Sequence, residues 1–408
     1  MPAKDDNPTS VIVTGGNSIN NLGVVRNLGR HGVPIVLLSA DHVDMVRYSR
    51  YISKKITSPS LNKPETQFID CLLDIGKQMN KKHMLIPTND IEALILSRYR
   101  DDLEQFYILP MPSLKVIQKL VDKKRFYKLL DQLSIPHPKT YFPKDIAELK
   151  SIAEQIEYPY IIKPAYSHLF AKEFGSKNFA INSQHELNKA VEKLGRKDLE
   201  VVIQEIIPGN EIYMFYTYFN KDSEPVAICG YDKLRQYPPD FGSGSLCRSS
   251  QRHAPIDLAI QVLKAIKYYG IAEPEFKRDP RDGKYKLLEI NARTTTESSL
   301  PPRCGVNIEY TAYLDATGQY VGNKISSPRD GILWVDEIGD LASCLKQWKD
   351  GKLGAREIIS SFKGEKVYAR AARDDPFPFF VSFLTLGFVV VLYLLKCFKE
   401  LMKRKSHC

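Results

Sequence analysis

Residues 287–293 read Leu-Leu-Glu-Ile-Asn-Ala-Arg. Side chains alternate along a strand, so Glu289, Asn291 and Arg293 share one face. Ile271–Lys277 and Lys284–Ile290 read as two arms of a hairpin about the turn 279–283, which puts Glu275 beside that face. Leu287, Leu288 and Ile290 flank one acid, and Ala272, Pro274 and Phe276 flank the other. Both carboxylates are therefore expected in a buried setting. Two carboxylates and a carboxamide oxygen are hard ligands that suit Mg²⁺, with water and phosphate completing an octahedron. The adjacent guanidinium suits a phosphoryl group.

Two upstream segments fit the same chemistry. Tyr160-Ile161-Ile162-Lys163-Pro164 ends an apolar strand on a lysine, which is costly unless an anion meets it. Phosphate is the natural partner. Val201–Glu211 (VVIQEIIPGNE) runs from a strand into a Pro-Gly turn and a second acid. Gln204, Glu205 and Ile207 suit an adenine pocket read through backbone groups, and Glu211 suits ribose hydroxyls.

Val11–Ser39 reads strand, loop, helix, strand, the βαβ opening of a doubly wound α/β lobe. Its loop, Gly15-Gly16-Asn17-Ser18-Ile19-Asn20, lacks the GxGxxG fingerprint, so a nicotinamide site is not expected. This lobe reads instead as one wall of a substrate cleft. Ile135-Pro136-His137-Pro138 breaks the chain, and the pattern beyond it is α+β. The expected organisation is a Rossmann-like α/β domain over 1–115, then α+β subdomains over 116–208 and 209–330, with an accessory or linker region over 331–376.

The chain has 408 residues, 43% hydrophobic and 26% charged, enough for several cores and unlike a disordered protein. The net charge of +10 comes without interleaved aromatic and basic residues, so no nucleic-acid partner is expected. A nucleotide phosphate or an anionic membrane surface fits the excess better. The seven cysteines form no CxxC pair, which suits free thiols in a reducing compartment.

Phe377–Leu395 (FPFFVSFLTLGFVVVLYLL) contains no charge. As a helix it would reach about 30 Å, a bilayer core. A single transmembrane helix is therefore expected over 377–396, with a basic tail over 397–408. Lys363, Lys366, Arg370 and Arg373 precede the run, and Lys396, Lys399, Lys403, Arg404 and Lys405 follow it, so charge barely sets orientation. Use of ATP and the polar N-terminus place the large domain on the cytoplasmic side.

In order, these segments resemble the ATP-grasp family across roughly residues 10 to 320. The motifs that carry the resemblance are Lys123 in VDKKRFYKLL, Lys163 in IIKP, the stretch Glu205–Glu211, and the closing Glu289-Ile290-Asn291-Ala292-Arg293. The resemblance implies an ATP-grasp fold, with Lys123 and Lys163 on ATP phosphates and Glu211 on ribose. It implies Glu275, Glu289 and Asn291 on Mg²⁺ (or Mn²⁺), and Arg293 steadying the transferring phosphoryl group. Such enzymes activate a carboxylate as an acyl phosphate that an amine or other nucleophile then attacks, and a homodimer is compatible with them. One departure is the loop 165–178 (AYSHLFAKEFGSKN), which holds only Gly175 where the family is often glycine-rich. Ser167, His168, Lys172 or Lys177 would substitute with side chains. The departure points away from biotin carboxylase-like members and toward the amino-acid and D-aspartate ligase-like branch.

For the carboxylate and amine substrates, the candidates are Lys233, Arg235, Arg248 and Arg303. The first three lie in a polar stretch, 231–252, that reads as a loop. The expected function is a membrane-anchored ATP-dependent carboxylate–amine ligase. The rival is a membrane-anchored ATP sensor without catalysis, which the complete set Glu275, Glu289, Asn291 and Arg293 disfavours.

Overall fold

The computed structural model describes residues 8–16, 18–40, 44–164, 174, 178–195, 200–319 and 327–385. They form three sheets. The first is parallel: β1 (Val11–Thr14), β2 (Ile35–Ser39), β3 (Ile52–Thr57), β4 (His83–Ile86) and β5 (Tyr107–Ile108), in the order β3-β2-β1-β4-β5. β1 and β2 are buried along their whole length, as unbroken Val, Ile and Leu runs require between two layers of helices. The strand order reverses between β1 and β4, and a crevice at such a switch point is where doubly wound sheets bind ligands. Gly15 sits in this crevice at φ +119°, and a Cβ there would collide with the Thr88 hydroxyl. β5 stops at Ile108, because Pro110 and Pro112 have no N–H to donate.

The second sheet is antiparallel: β6 (Thr140–Tyr141), β7 (Tyr160–Pro164), β8 (Phe179–Ile181) and β9 (Val201–Glu205), in the order β6-β9-β7-β8. Tyr160, Ile162 and Ile203 pack on helices Ile146–Ala153 and Gln184–Leu194 through Leu149, Leu187 and Leu194. By the two-residue period, Ile161 and Lys163 face the other way.

The third sheet comprises β10 (Ile212–Phe219), β11 (Pro225–Tyr237), β12 (Ser243–Ser249), β13 (Gly270–Arg278), β14 (Tyr285–Asn291), β15 (Leu333–Val335) and β16 (Lys366–Tyr368). Its order is β14-β13-β10-β11-β12-β15-β16. Two stretches differ from their sequence reading. Residues 231–252 complete β11 and form β12, because their polar side chains find buried partners on the helix Glu337–Lys349 packed against the sheet. Arg235, for example, pairs with Asp340 at 2.6 Å. Residues 331–376, expected as an accessory or linker region, add β15 and β16 to the sheet edge. Strands of three residues show no readable period.

Most of the expected transmembrane helix, 386–396, lies outside the described residues, as does the basic tail. Residues 377–385 are helical, and among the described residues no helix is long and apolar enough to cross a membrane. The segment just before this helix is tied to the first lobe. Arg26, fully buried, pairs with Asp375 at 2.9 Å, and Arg30 pairs with Asp374 at 2.8 Å.

Candidate active site

The hairpin β13–β14 sets the site. Its register places Glu275 opposite Glu289 and Glu273 opposite Asn291, so all four side chains share one face. At the turn, Gly283 takes φ +72° and its N–H donates to the Asp279 carbonyl at 2.8 Å. The buried Asp279 carboxylate accepts from Arg281 and from Lys286 at 2.7 Å, which holds it well below the usual carboxylate range.

Three lysines converge on the paired acids from three elements. Lys123 opens helix Lys123–Gln132, whose first turn is capped by Asp122 accepting from the Arg125 N–H. The buried Lys123 ammonium reaches Glu289 at 3.5 Å. Lys233, on β11, is buried and donates to Glu275 at 2.9 Å. Burial works against its charge, but Glu275 raises its pKa overall. Lys163, at the end of β7, lies 6.0 Å from the Tyr127 ring. Burial and the Lys123 charge lower its pKa to about 7, against the pull of Glu289 and Glu275. Burial would raise the Glu289 carboxyl, yet Lys123, Lys163, Lys233 and Arg293 together hold it down to about 2.

Arg293 closes the arrangement. Its Nε donates to Asp90 at 3.1 Å, and its guanidinium also donates to the Thr294 carbonyl at 2.9 Å and to Asn291 Oδ1 at 3.2 Å. Asp90 opens the helix after β4, so the arginine spans from the third sheet to the switch point of the first. Asn20 makes a second tie, donating to the carbonyls of Thr88 at 2.7 Å and Thr294 at 3.0 Å. Behind Asn291 lies Glu273, buried and hydrogen-bonded to Asn291, Tyr231 and Thr295. Burial and the nearby Glu297 push its carboxyl up to about 8.

The residues chosen for adenosine gather near the hairpin turn. Glu205 accepts from Arg281 at 2.9 Å and from the Lys139 N–H at 2.8 Å. Gln204 is buried and donates to Thr140 at 2.7 Å, and Ile207 is buried after β9. Glu211 is exposed beside Arg278, at 3.3 Å. From Arg278 to Glu275 is three residues of strand, about 10 Å. An elongated nucleotide laid along the hairpin would reach from Glu205–Glu211 to Glu275 and Glu289.

The candidates for the acceptor side scatter. Lys233 joins the acids. Arg235 is buried against Asp340 and stacks over the Phe362 ring at 5.1 Å. Arg303 is exposed and pairs with Glu365 at 2.6 Å. Arg248 is half-exposed, 3.9 Å from Asp232, and lines a cavity of about 200 Å³ with Glu211, Tyr213, Arg252 and Tyr285. The loop 165–178 lies outside the described residues apart from Phe174 and Asn178. Sequence reading missed Glu273, Glu297 and Asp90. Glu273 was within reach, since it shares the strand period of Glu275. Asp90 carries no local signal, because only tertiary packing brings it to Arg293.

Among the described residues no three His, Cys, Asp or Glu side chains stand close enough to cage a metal ion. Mg²⁺ that keeps water and binds phosphate needs only one or two carboxylates, which Glu275 and Glu289 supply. Lys123, Lys163, Lys233 and Arg293 outnumber these two acids, so the face has room for a polyanion together with its cation.

No family model matches the chain. The D-aspartate ligase of Enterococcus faecium is 26% identical over 311 residues, 72% of this chain and 73% of that one. The L-amino acid ligase of Bacillus licheniformis superposes with a TM-score of 0.59 at 15% identity, over 76% of this chain and 75% of that one. A biotin carboxylase domain of Hydrogenobacter thermophilus, solved with MgADP and bicarbonate, gives a TM-score of 0.62 at 18% identity, over 80% and 74%. The chain has the ATP-grasp fold. A carbamoyl phosphate synthase large chain, from Methanobrevibacter smithii, is 23% identical over 233 residues, and this chain spans only 20% of its length. Arg281 and Lys286, on the hairpin of the third sheet, pair with Glu205 at the end of the second.

Proposed function

We propose that this chain is an ATP-dependent carboxylate–amine ligase that works through an acyl phosphate. The observation that carries the reading is the convergence of Lys123, Lys163, Lys233 and Arg293 on Glu275 and Glu289. ATP lies along the hairpin, with adenine at Gln204, Glu205 and Ile207 and ribose at Glu211. Glu275, Glu289 and the Asn291 carboxamide oxygen hold Mg²⁺, which neutralises phosphate charge when bound. Lys123 and Lys163 fix the phosphates in line for attack, and Arg293 meets the charge that develops on the transferring group. A substrate carboxylate oxygen bonds to the γ-phosphorus as the bond to ADP breaks. An amine then bonds to the acyl carbon, phosphate leaves with the electron pair, and the amine proton passes to solvent or to a nearby base.

The similarity to D-aspartate ligase supports an amino acid as the activated carboxylate. The apolar run 377–395 and the basic residues after it support a place at the membrane, and the use of ATP puts the cleft on the cytoplasmic side. The test is a screen of ADP release with acid and amine pairs, beginning with D-aspartate and L-amino acids. Release that requires both partners is expected. Folded protein that releases no ADP with any pair, while binding no nucleotide, would overturn the reading.

A further inference from the structure

Helix Glu337–Lys349 is packed inside out. Its buried face against β11 and β12 carries Gly339, Asp340, Ser343 and Cys344. Asp340 there accepts from Arg235 and from Ser245 at 3.0 Å, and Ser343 donates to the Gln236 carbonyl at 2.8 Å. Its large apolar side chains point outward: Leu341, Leu345 and Trp348 are 60%, 55% and 62% exposed. Their spacing of four and three residues makes one continuous stripe. Ile359, in the next helix Ala355–Ser361, is 70% exposed. A soluble surface helix normally turns such a stripe into the core, whereas this one has no partner among the described residues.

Its surroundings identify what covers it. Lys346, Lys349, Lys352 and Arg356 are all exposed around the stripe. Asp350 and Glu357 are the acids among them: Asp350 is paired with Lys346 at 3.4 Å, and Glu357 accepts from the Gly354 N–H at 2.7 Å. Tryptophan and leucine flanked by lysines is the composition of a helix lying in a headgroup layer. A second apolar surface lies close along the chain. Arg370 and Ala371 are tied to Asp336 and Glu337 at the root of the helix. Seven residues after Arg370, at most about 25 Å of chain, begins the helix that exposes Phe377, Phe380, Phe383 and Leu384. The sequence beyond it stays apolar to Leu395 and then turns basic.

We propose that the face formed by Leu341, Leu345, Trp348 and Ile359 rests in the headgroup layer of an anionic bilayer. The lysines meet the lipid phosphates and the apolar stripe meets the upper acyl chains. This does not depend on the ligase reading. It would hold the body of the protein at a set angle to the membrane, beyond what a single C-terminal attachment provides.

Trp348 reports the contact directly, because Trp334 is fully buried and gives a constant background that a Trp348→Phe variant measures. The full chain is titrated with phosphatidylcholine vesicles, with and without an equal share of phosphatidylglycerol. A blue shift of Trp348, several-fold weaker quenching by acrylamide and strong quenching by brominated lipid are expected with anionic vesicles. Leu345→Glu, with an unchanged circular dichroism spectrum, should remove this response. The proposal is overturned if vesicle-bound protein leaves Trp348 as open to acrylamide as lipid-free protein. It is also overturned if Trp348 is already protected without lipid at every protein concentration, which means the chain covers itself. Protection that grows with protein concentration in the absence of lipid means a second copy covers the face, and overturns it too.

Discussion

Lys163 is the residue most sensitive to what fills the cleft. Without an anion, burial and Lys123 lower its pKa to about 7. Nucleotide phosphates would favour its charged form and raise that pKa again. The sign follows: below pH 7 the lysine is already charged, and above it binding must take up a proton. MgADP affinity should therefore fall as pH rises from 7 to 9, by up to tenfold per pH unit. Calorimetry in buffers of different ionisation heat should show proton uptake, and Lys163→Met should flatten the profile. Glu273 behaves in the opposite structural sense. Its folded pKa, near 8, lies above the usual carboxyl value. Its neutral form thus stabilises the fold fully below about pH 4.5, and that contribution is lost as pH rises through 8. Glu273→Gln should match the parent in melting temperature at pH 5 and exceed it at pH 8.5. Glu289→Gln removes a carboxylate that faces four cations, and turnover should fall on the order of 10²-fold with the fold intact.

At the scale of elements, the hairpin and the helix Lys123–Gln132 must keep their places for the charges to meet. The Asp122 cap fixes the start of that helix, one residue before Lys123. Asp122→Ala should cost about 1 kcal/mol of stability and raise the KM for ATP more than it lowers kcat, as measured by urea denaturation and steady-state kinetics. This scale is also where the sequence was most readable. The hairpin, β7 and β9 are long enough for alternation to show, and the spacing of Glu289, Asn291 and Arg293 translates directly into a shared face. β12, β15 and β16 were not readable. β12 is polar yet buried because Ser245 finds its partner in Asp340, 95 residues on, and β15 and β16 are too short to have a period. The positions of Arg235 and Arg303 were hidden for the same reason, since each is set by a partner distant in sequence.

Across the whole molecule, the first lobe, the third sheet and the C-terminal segment are joined by a few buried polar ties. Arg26–Asp375 is fully buried, and Asp375 also accepts from Ser49 at 2.8 Å and from the Arg50 N–H at 2.9 Å. Asp375→Ala would leave the Arg26 charge buried without compensation, which typically costs about 3–5 kcal/mol. A clearly lower denaturation midpoint is expected, with Arg26→Met in the same chain recovering much of the loss. The parallel first sheet was legible from the βαβ opening, but the ties that join it to the rest were not, because each joins residues hundreds of positions apart. The measurement that bears most directly on the cleft is calorimetric titration of MgADP into the full chain at pH 7, compared with Lys123→Met and Lys163→Met. One site per chain is expected, with affinity falling at least tenfold in each variant. No binding to the parent, or equal binding by parent and variants, would contradict an ATP site at this face.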